Sequence, residues 1–187
     1  MAKVAAGAHA RDGAGVIRVV LSGSESTGKT TLANRLVEHY NARPVDEFVR
    51  QYAASKNGSL DFNDHGPIAR GQMALENEAI ASGAPLVVQD TDLLSTVVYC
   101  DHYFGRCPQW VIDAARTRRP DLYLLCEIDL PWIADGIRDR GHLREEMQSL
   151  FRAAVRASGA TYVVIDGETD QRLAKAIDAI DELRLHS

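Results

Sequence analysis

The sequence predicts an α/β fold in three layers, with a five-stranded parallel sheet between helices. Three observations point to it. Short apolar runs alternate with helical periods along the chain, as a parallel sheet with crossover helices requires. A glycine-rich turn, Gly23-Ser24-Glu25-Ser26-Thr27-Gly28-Lys29-Thr30, joins the first apolar run to the first helical period. Acids follow directly on the second and third runs, as Asp46-Glu47 and Asp90-Thr91-Asp92. In doubly wound sheets, residues at the carboxyl ends of strands face the ligand.

The first strand is expected over Val16 to Leu21. Thr31 to Tyr40 follows as an amphipathic helix, since Leu32, Leu36 and Val37 share one face. Arg43 to Val45 makes a short second strand, and Phe48 to Ser55 and Ile68 to Ala81 read as helices. Between those helices, Lys56 to Pro67 is polar and rich in Asn, Asp and Gly, which marks a candidate mobile segment. Pro85 to Gln89 is a buried strand after a Gly-Ala-Pro break. Helices over Leu93 to Tyr103 and Gln109 to Thr117 stop at Arg119-Pro120. Leu122 to Ile128 supplies the fourth strand, and Pro131 to Gly141, with its glycines and charges, reads as a short lid. A helix over Leu143 to Ala157, a strand over Tyr162 to Ile165 and a helix over Asp170 to Leu185 complete the order. Residues 1–15 read as a loose tail and 16–187 as one domain, with no internal repeat to split it.

Composition narrows the function. The 187 residues are 45% hydrophobic and 25% charged, with a formal charge of -5, so no global basic field exists to hold nucleic acid. A small-molecule substrate fits better. No run of eighteen apolar residues offers a membrane span. The three cysteines, Cys100, Cys107 and Cys126, form no C-x-x-C unit, which favours a reducing, cytoplasmic setting without disulfides. Cys100, His102 and Cys107 supply only three ligands, in a spacing that matches no common zinc site. Oligomeric state is not written in the sequence.

The pattern G-x-x-x-x-G-K-[ST], with a strand before and a helix after it, is a phosphate-binding loop. Gly23 and Gly28 permit turns in which successive N–H groups converge, and the helix beginning near Lys29 adds its positive end. An ATP phosphate tail is therefore favoured there. The candidate ATP-binding residues are Gly23, Ser24, Glu25, Ser26, Thr27, Gly28, Lys29, Thr30 and the adjoining Thr31, with Lys29 on the terminal phosphates and the Thr30 hydroxyl on Mg2+. Asp90 stands at the Walker B position as the second metal candidate, with Asp92 in reserve and as a candidate substrate contact. Asp46 and Glu47 are candidates for orienting an acceptor hydroxyl, Glu47 as the base, although either also suits a helix cap. In the expected lid, Arg138 and Arg140 could neutralise the phosphoryl group in flight, and Arg138 could also stack on adenine. Gly167, after the fifth strand, is placed for adenine to rest on its backbone. The pattern favours an ATP-dependent phosphotransferase, and leaves open an ATP-binding regulatory module without turnover.

The ordered set G-x-E-S-x-G-K-[ST]-x-L in Gly23 to Leu32, Glu47-Phe48-Val49-Arg50, Asp90-Thr91-Asp92 and Pro131-Trp132-Ile133-Ala134-Asp135-Gly136-Ile137-Arg138 resembles the ribosylnicotinamide kinase domain of the NadR family. That resemblance implies a P-loop kinase fold with adenylate-kinase-like topology. It also implies phosphorylation of the 5'-hydroxyl of nicotinamide riboside by ATP and Mg2+, giving the mononucleotide. Carried over by position, Lys29 and Thr30 would serve ATP and Mg2+, Glu47 and Arg50 the riboside side, and Arg138 the lid. Fuller members of that family add a nucleotidyltransferase domain and sometimes a helix-turn-helix, for which this chain has no room. Another nucleoside or a vitamin alcohol remains open as the acceptor, on account of Asp46.

Overall fold

The first apolar run becomes the centre of the sheet. In the computed structural model, which describes residues 15–56, 60–130 and 143–186, β1 (Ile17–Ser22) lies between β3 (Leu86–Asp90) and β4 (Leu122–Cys126). β2 (Arg43–Val45) and β5 (Tyr162–Ile165) form the edges, giving the order β2-β3-β1-β4-β5 with every pair parallel. The expected tail, apart from Gly15, and the expected lid lie outside the described residues.

Burial on both faces explains why β3 and β4 read as continuous apolar runs: every residue in them is buried. On one face, Leu32 and Leu36 of α1 (Lys29–Tyr40) and Ala176 and Ile180 of α7 (Thr169–Leu185) pack on Val19, Leu21, Val88 and Leu124. On the other, Val98 of α4 (Leu93–Phe104) and Met147, Phe151 and Val155 of α6 (Arg144–Ser158) close over Val20, Tyr123 and Leu125. α3 (His65–Ala81) covers Val45 and Val87 through Ala79, and Val111 of α5 (Gln109–Thr117) packs with Ala69 and Leu93. These are the three layers the sequence predicts.

Two boundaries differ for identifiable reasons. The first helix begins at Lys29 rather than Thr31, because the glycine-rich turn runs directly into it through Gly28. The stretch expected to be mobile is structured from Asp61 onward. A 3-10 turn at Phe62–Asp64 carries a reciprocal capping box between Asp61 and Asp64, and α3 then starts at His65. Pro67 lies in the first turn of α3, where a missing N–H costs no helical bond.

The junction from β2 to α2 (Phe48–Ser55) is pinned from α3. Gln72 accepts from the Phe48 N–H at 2.9 Å and donates to the Asp46 carbonyl at 3.2 Å, so one buried amide fixes the backbone on either side of Glu47. Next to it, Gly71 leaves room for the Phe48 ring: a Cβ there would sit 2.1 to 2.4 Å from three ring carbons. Gly71→Ala is therefore expected to cost about 1–3 kcal/mol by overpacking. Thermal unfolding should show this as a drop of several degrees.

Candidate active site

The phosphate loop owes its shape to side chains that hold its backbone. Gly23 has φ 130, and a Cβ on it would lie 2.5 Å from the Cys126 carbonyl oxygen, so only glycine lets the loop leave β1 this close to β4. Lys29 is buried, and its Nζ donates to the carbonyls of Gly23 at 2.9 Å and Ser24 at 2.6 Å. The Thr27 hydroxyl donates to Ser24 O at 2.8 Å. From α6, Arg144 Nη2 donates to Ser26 O at 2.9 Å, and from α7, Arg172 Nη1 donates to Thr27 O at 2.9 Å. A trans peptide directs its N–H opposite to its C=O. Holding these two carbonyls toward α6 and α7 therefore turns the amides of Thr27 and Gly28 to the other side, as an anion-binding nest requires.

The fully buried Gln148 completes the frame. Its Oε1 accepts from Ser24 N–H at 2.9 Å, and its Nε2 donates to Cys126 O at 3.0 Å and to Glu127 Oε2 at 3.3 Å. Sequence reasoning missed Gln148 and Arg172. A faint signal existed: Arg172 shares a helical stripe with buried Ala176 and Ile180, and Arg144 and Gln148 stand four apart on the buried side of α6. A charge or amide in such a stripe needs partners elsewhere in the fold.

Thr30, at the start of α1, donates its hydroxyl to Asp90 Oδ2 at 2.5 Å. Burial raises the pKa of Asp90 and the charge of Glu47 adds to this, while the Thr30 bond, Lys29 and Arg50 oppose it. Its other oxygen, Oδ1, is buried with no hydrogen-bond partner among the described residues. A hydroxyl beside a carboxylate with an open oxygen suits a hard, oxygen-seeking cation such as Mg2+. Thr91 follows with φ 79, a costly conformation for a β-branched residue. That turn separates the two acids. Asp92 accepts from Leu94 N–H at 3.0 Å as the cap of α4 and from the Tyr123 hydroxyl at 2.6 Å. Burial lifts the Asp92 carboxyl to about 6 against those bonds. Both its oxygens thus serve the fold.

Glu47 is buried just before α2 and accepts from Arg50 Nε at 2.7 Å. Asp46 is exposed, with its backbone held by Gln72. Beyond the phosphate loop, Gly28, Thr31, Leu32, Arg35, Leu130, Thr169 and Arg172 line an open hollow of about 70 Å3. Gly167 lies near it, with its carbonyl accepting from Arg172 Nε at 2.7 Å and its N–H donating to Asp129 Oδ2 at 2.5 Å. Both polar groups of Gly167 are therefore used within the protein. Arg138 and Arg140 lie outside the described residues. Among the described residues no group of three or more His, Cys, Asp or Glu could hold a metal, and no helix is long and apolar enough to cross a membrane.

A phosphate loop with a strand-end carboxylate beside its threonine is the hallmark of a nucleotide-binding α/β domain, and the sequence profile of the AAA domain family (AAA_28) matches residues 18–172. The chain belongs to that family. The chain is also 30% identical over 172 residues to the trifunctional NAD biosynthesis/regulator protein NadR of Escherichia coli (strain K12), covering 88% of this chain and 42% of the relative. It thus spans less than half the length of that curated relative. A crystal structure of a NadR protein in complex with NR superposes with a TM-score of 0.74 at 28% identity, over 90% of this AAA domain chain and 52% of the other. A NadR protein in complex with NAD and AMP-PNP gives 0.69 at 27% identity, over 90% and 50%. The resemblance carried by the motifs thus extends over nearly the whole chain. The fold is that of a P-loop kinase.

Proposed function

We propose that the chain is an ATP-dependent kinase that phosphorylates the 5'-hydroxyl of nicotinamide riboside to give nicotinamide mononucleotide. The observation that carries this is a buried carboxylate, Glu47, two residues beyond β2, whose register with β3, Val45 opposite Gln89, brings it to the strand end that bears Asp90. Similarity to NadR proteins solved with NR and with AMP-PNP supports the choice of acceptor and donor.

In this reading the N–H groups of the loop and Lys29 hold the ATP phosphates, and the adenine occupies the hollow beside Thr31 and Gly167. Thr30 and Asp90 would hold Mg2+, which would offset the charge of the phosphates. Glu47 orients the acceptor hydroxyl and takes its proton as the new P–O bond forms, while the bond to the bridging oxygen breaks and ADP leaves. Arg50 holds the Glu47 carboxylate in place. Asp46 and Asp92 border the acceptor side, the latter by supporting α4. Arg138 and Arg140 would offset charge on the phosphoryl group during transfer. Residues 16–187 act as one kinase domain, without nucleic acid as partner, in the cytoplasm, a setting supported by three free thiols.

A phosphorylation assay with Mg2+-ATP over a panel of nicotinamide riboside, other nucleosides and vitamin alcohols tests the assignment. Nicotinamide riboside should give the highest kcat/KM. A rate no higher than that of water with it, alongside turnover of another alcohol, would move the protein to a different acceptor.

A further inference from the structure

Arg172 is buried to 3% exposure, and each of its three guanidinium nitrogens donates to a loop at the carboxyl edge of the sheet. Nη1 reaches Thr27 O of the phosphate loop at 2.9 Å, Nη2 reaches Glu127 O after β4 at 3.0 Å, and Nε reaches Gly167 O after β5 at 2.7 Å. Nη2 also pairs with Asp129 Oδ1, and Asp129 Oδ2 takes the Gly167 N–H at 2.5 Å. Asp129 and Arg172 therefore grip Gly167 by both ends of its backbone and close a ring with each other. Burial would raise the Asp129 pKa, but the Gly167 N–H and the Arg172 charge outweigh it and hold the carboxyl below its usual value, so it stays ionised in this ring at neutral pH. Arg172 carries the connection from this ring onward to Thr27 of the phosphate loop, and Arg144 Nη2 separately joins Leu130 O, next to Asp129, to Ser26 O.

We propose that Asp129 and Arg172 are positioning residues that set the Gly167 loop against the phosphate loop, so that base and phosphates of one nucleotide are received in register. This deepens the ATP reading above and rests on it. Arg172 fixes the phosphate end through Thr27, while Asp129 touches the base end directly and the phosphate end only through Arg172. The two variants should therefore fail differently. In Asp129→Asn only one oxygen is left to accept, so either the Gly167 N–H or Arg172 loses its partner, and the ion pair loses its negative member. The Asp129 side chain is 40% exposed, so the fold tolerates the change. A lysine at 172 cannot reach three loops with one nitrogen.

The test is calorimetric titration of the full chain with Mg2+-ATP and, separately, with Mg2+-tripolyphosphate, which has no base, together with steady-state kinetics. Asp129→Asn should weaken ATP by about tenfold, the equivalent of about 1.4 kcal/mol. Its affinity for tripolyphosphate and its kcat should stay within about twofold of wild type. Arg172→Lys should weaken both ligands. Equal loss of both ligands in Asp129→Asn, or no loss of either, overturns the proposal, as does undiminished tripolyphosphate binding in Arg172→Lys. Wild-type protein that binds neither ligand overturns the ATP reading together with the proposal.

Discussion

Lys29→Ala is expected to lower kcat by about a hundredfold to a thousandfold, the usual loss when one preorganised donor to developing charge is removed. Two effects combine. In the proposed transfer the ammonium would follow the phosphoryl group. It also bridges the Gly23 and Ser24 carbonyls, so its loss releases the first turn of the loop as well as the phosphate. Lys29→Arg should rescue little, because a planar guanidinium cannot replace a point charge in so closed a site. Single-turnover phosphoryl transfer measures this directly, and circular dichroism checks that the sheet remains.

Glu47→Gln is expected to lower kcat by about a hundredfold or more, the contribution of a placed general base. Its KM for ATP should stay within about threefold, since the lost interaction belongs to the acceptor. The substitution keeps an oxygen to accept from Arg50 Nε, so the entry into α2 is retained while the charge is removed. Full kcat in this variant would take Glu47 out of the base role and leave it as the residue that opens α2.

How much of this was legible follows from what each feature depends on. β2, α2, α5 and β5 have the bounds read from the sequence, because turn residues or a change of period mark both ends. Asp90 was visible as an acid at the end of an apolar run. That it rather than Asp92 faces Thr30 is decided by the backbone at Thr91, whose positive φ no propensity announces. Arg144, Gln148 and Arg172 contact the phosphate loop across 118, 124 and 145 residues. Their partners are backbone carbonyls and an amide, which carry no residue identity. A pattern of side chains along the chain cannot point to them.

Every step of the proposed transfer requires the loop to receive a triphosphate with its cation. Isothermal titration of the purified chain with ATP, in the presence and absence of Mg2+, measures that without reference to any acceptor. Saturable binding that tightens with Mg2+ in the wild type, and loses that Mg2+ dependence in Asp90→Asn, is the predicted result. Absence of heat with Mg2+-ATP in the wild type would contradict the account.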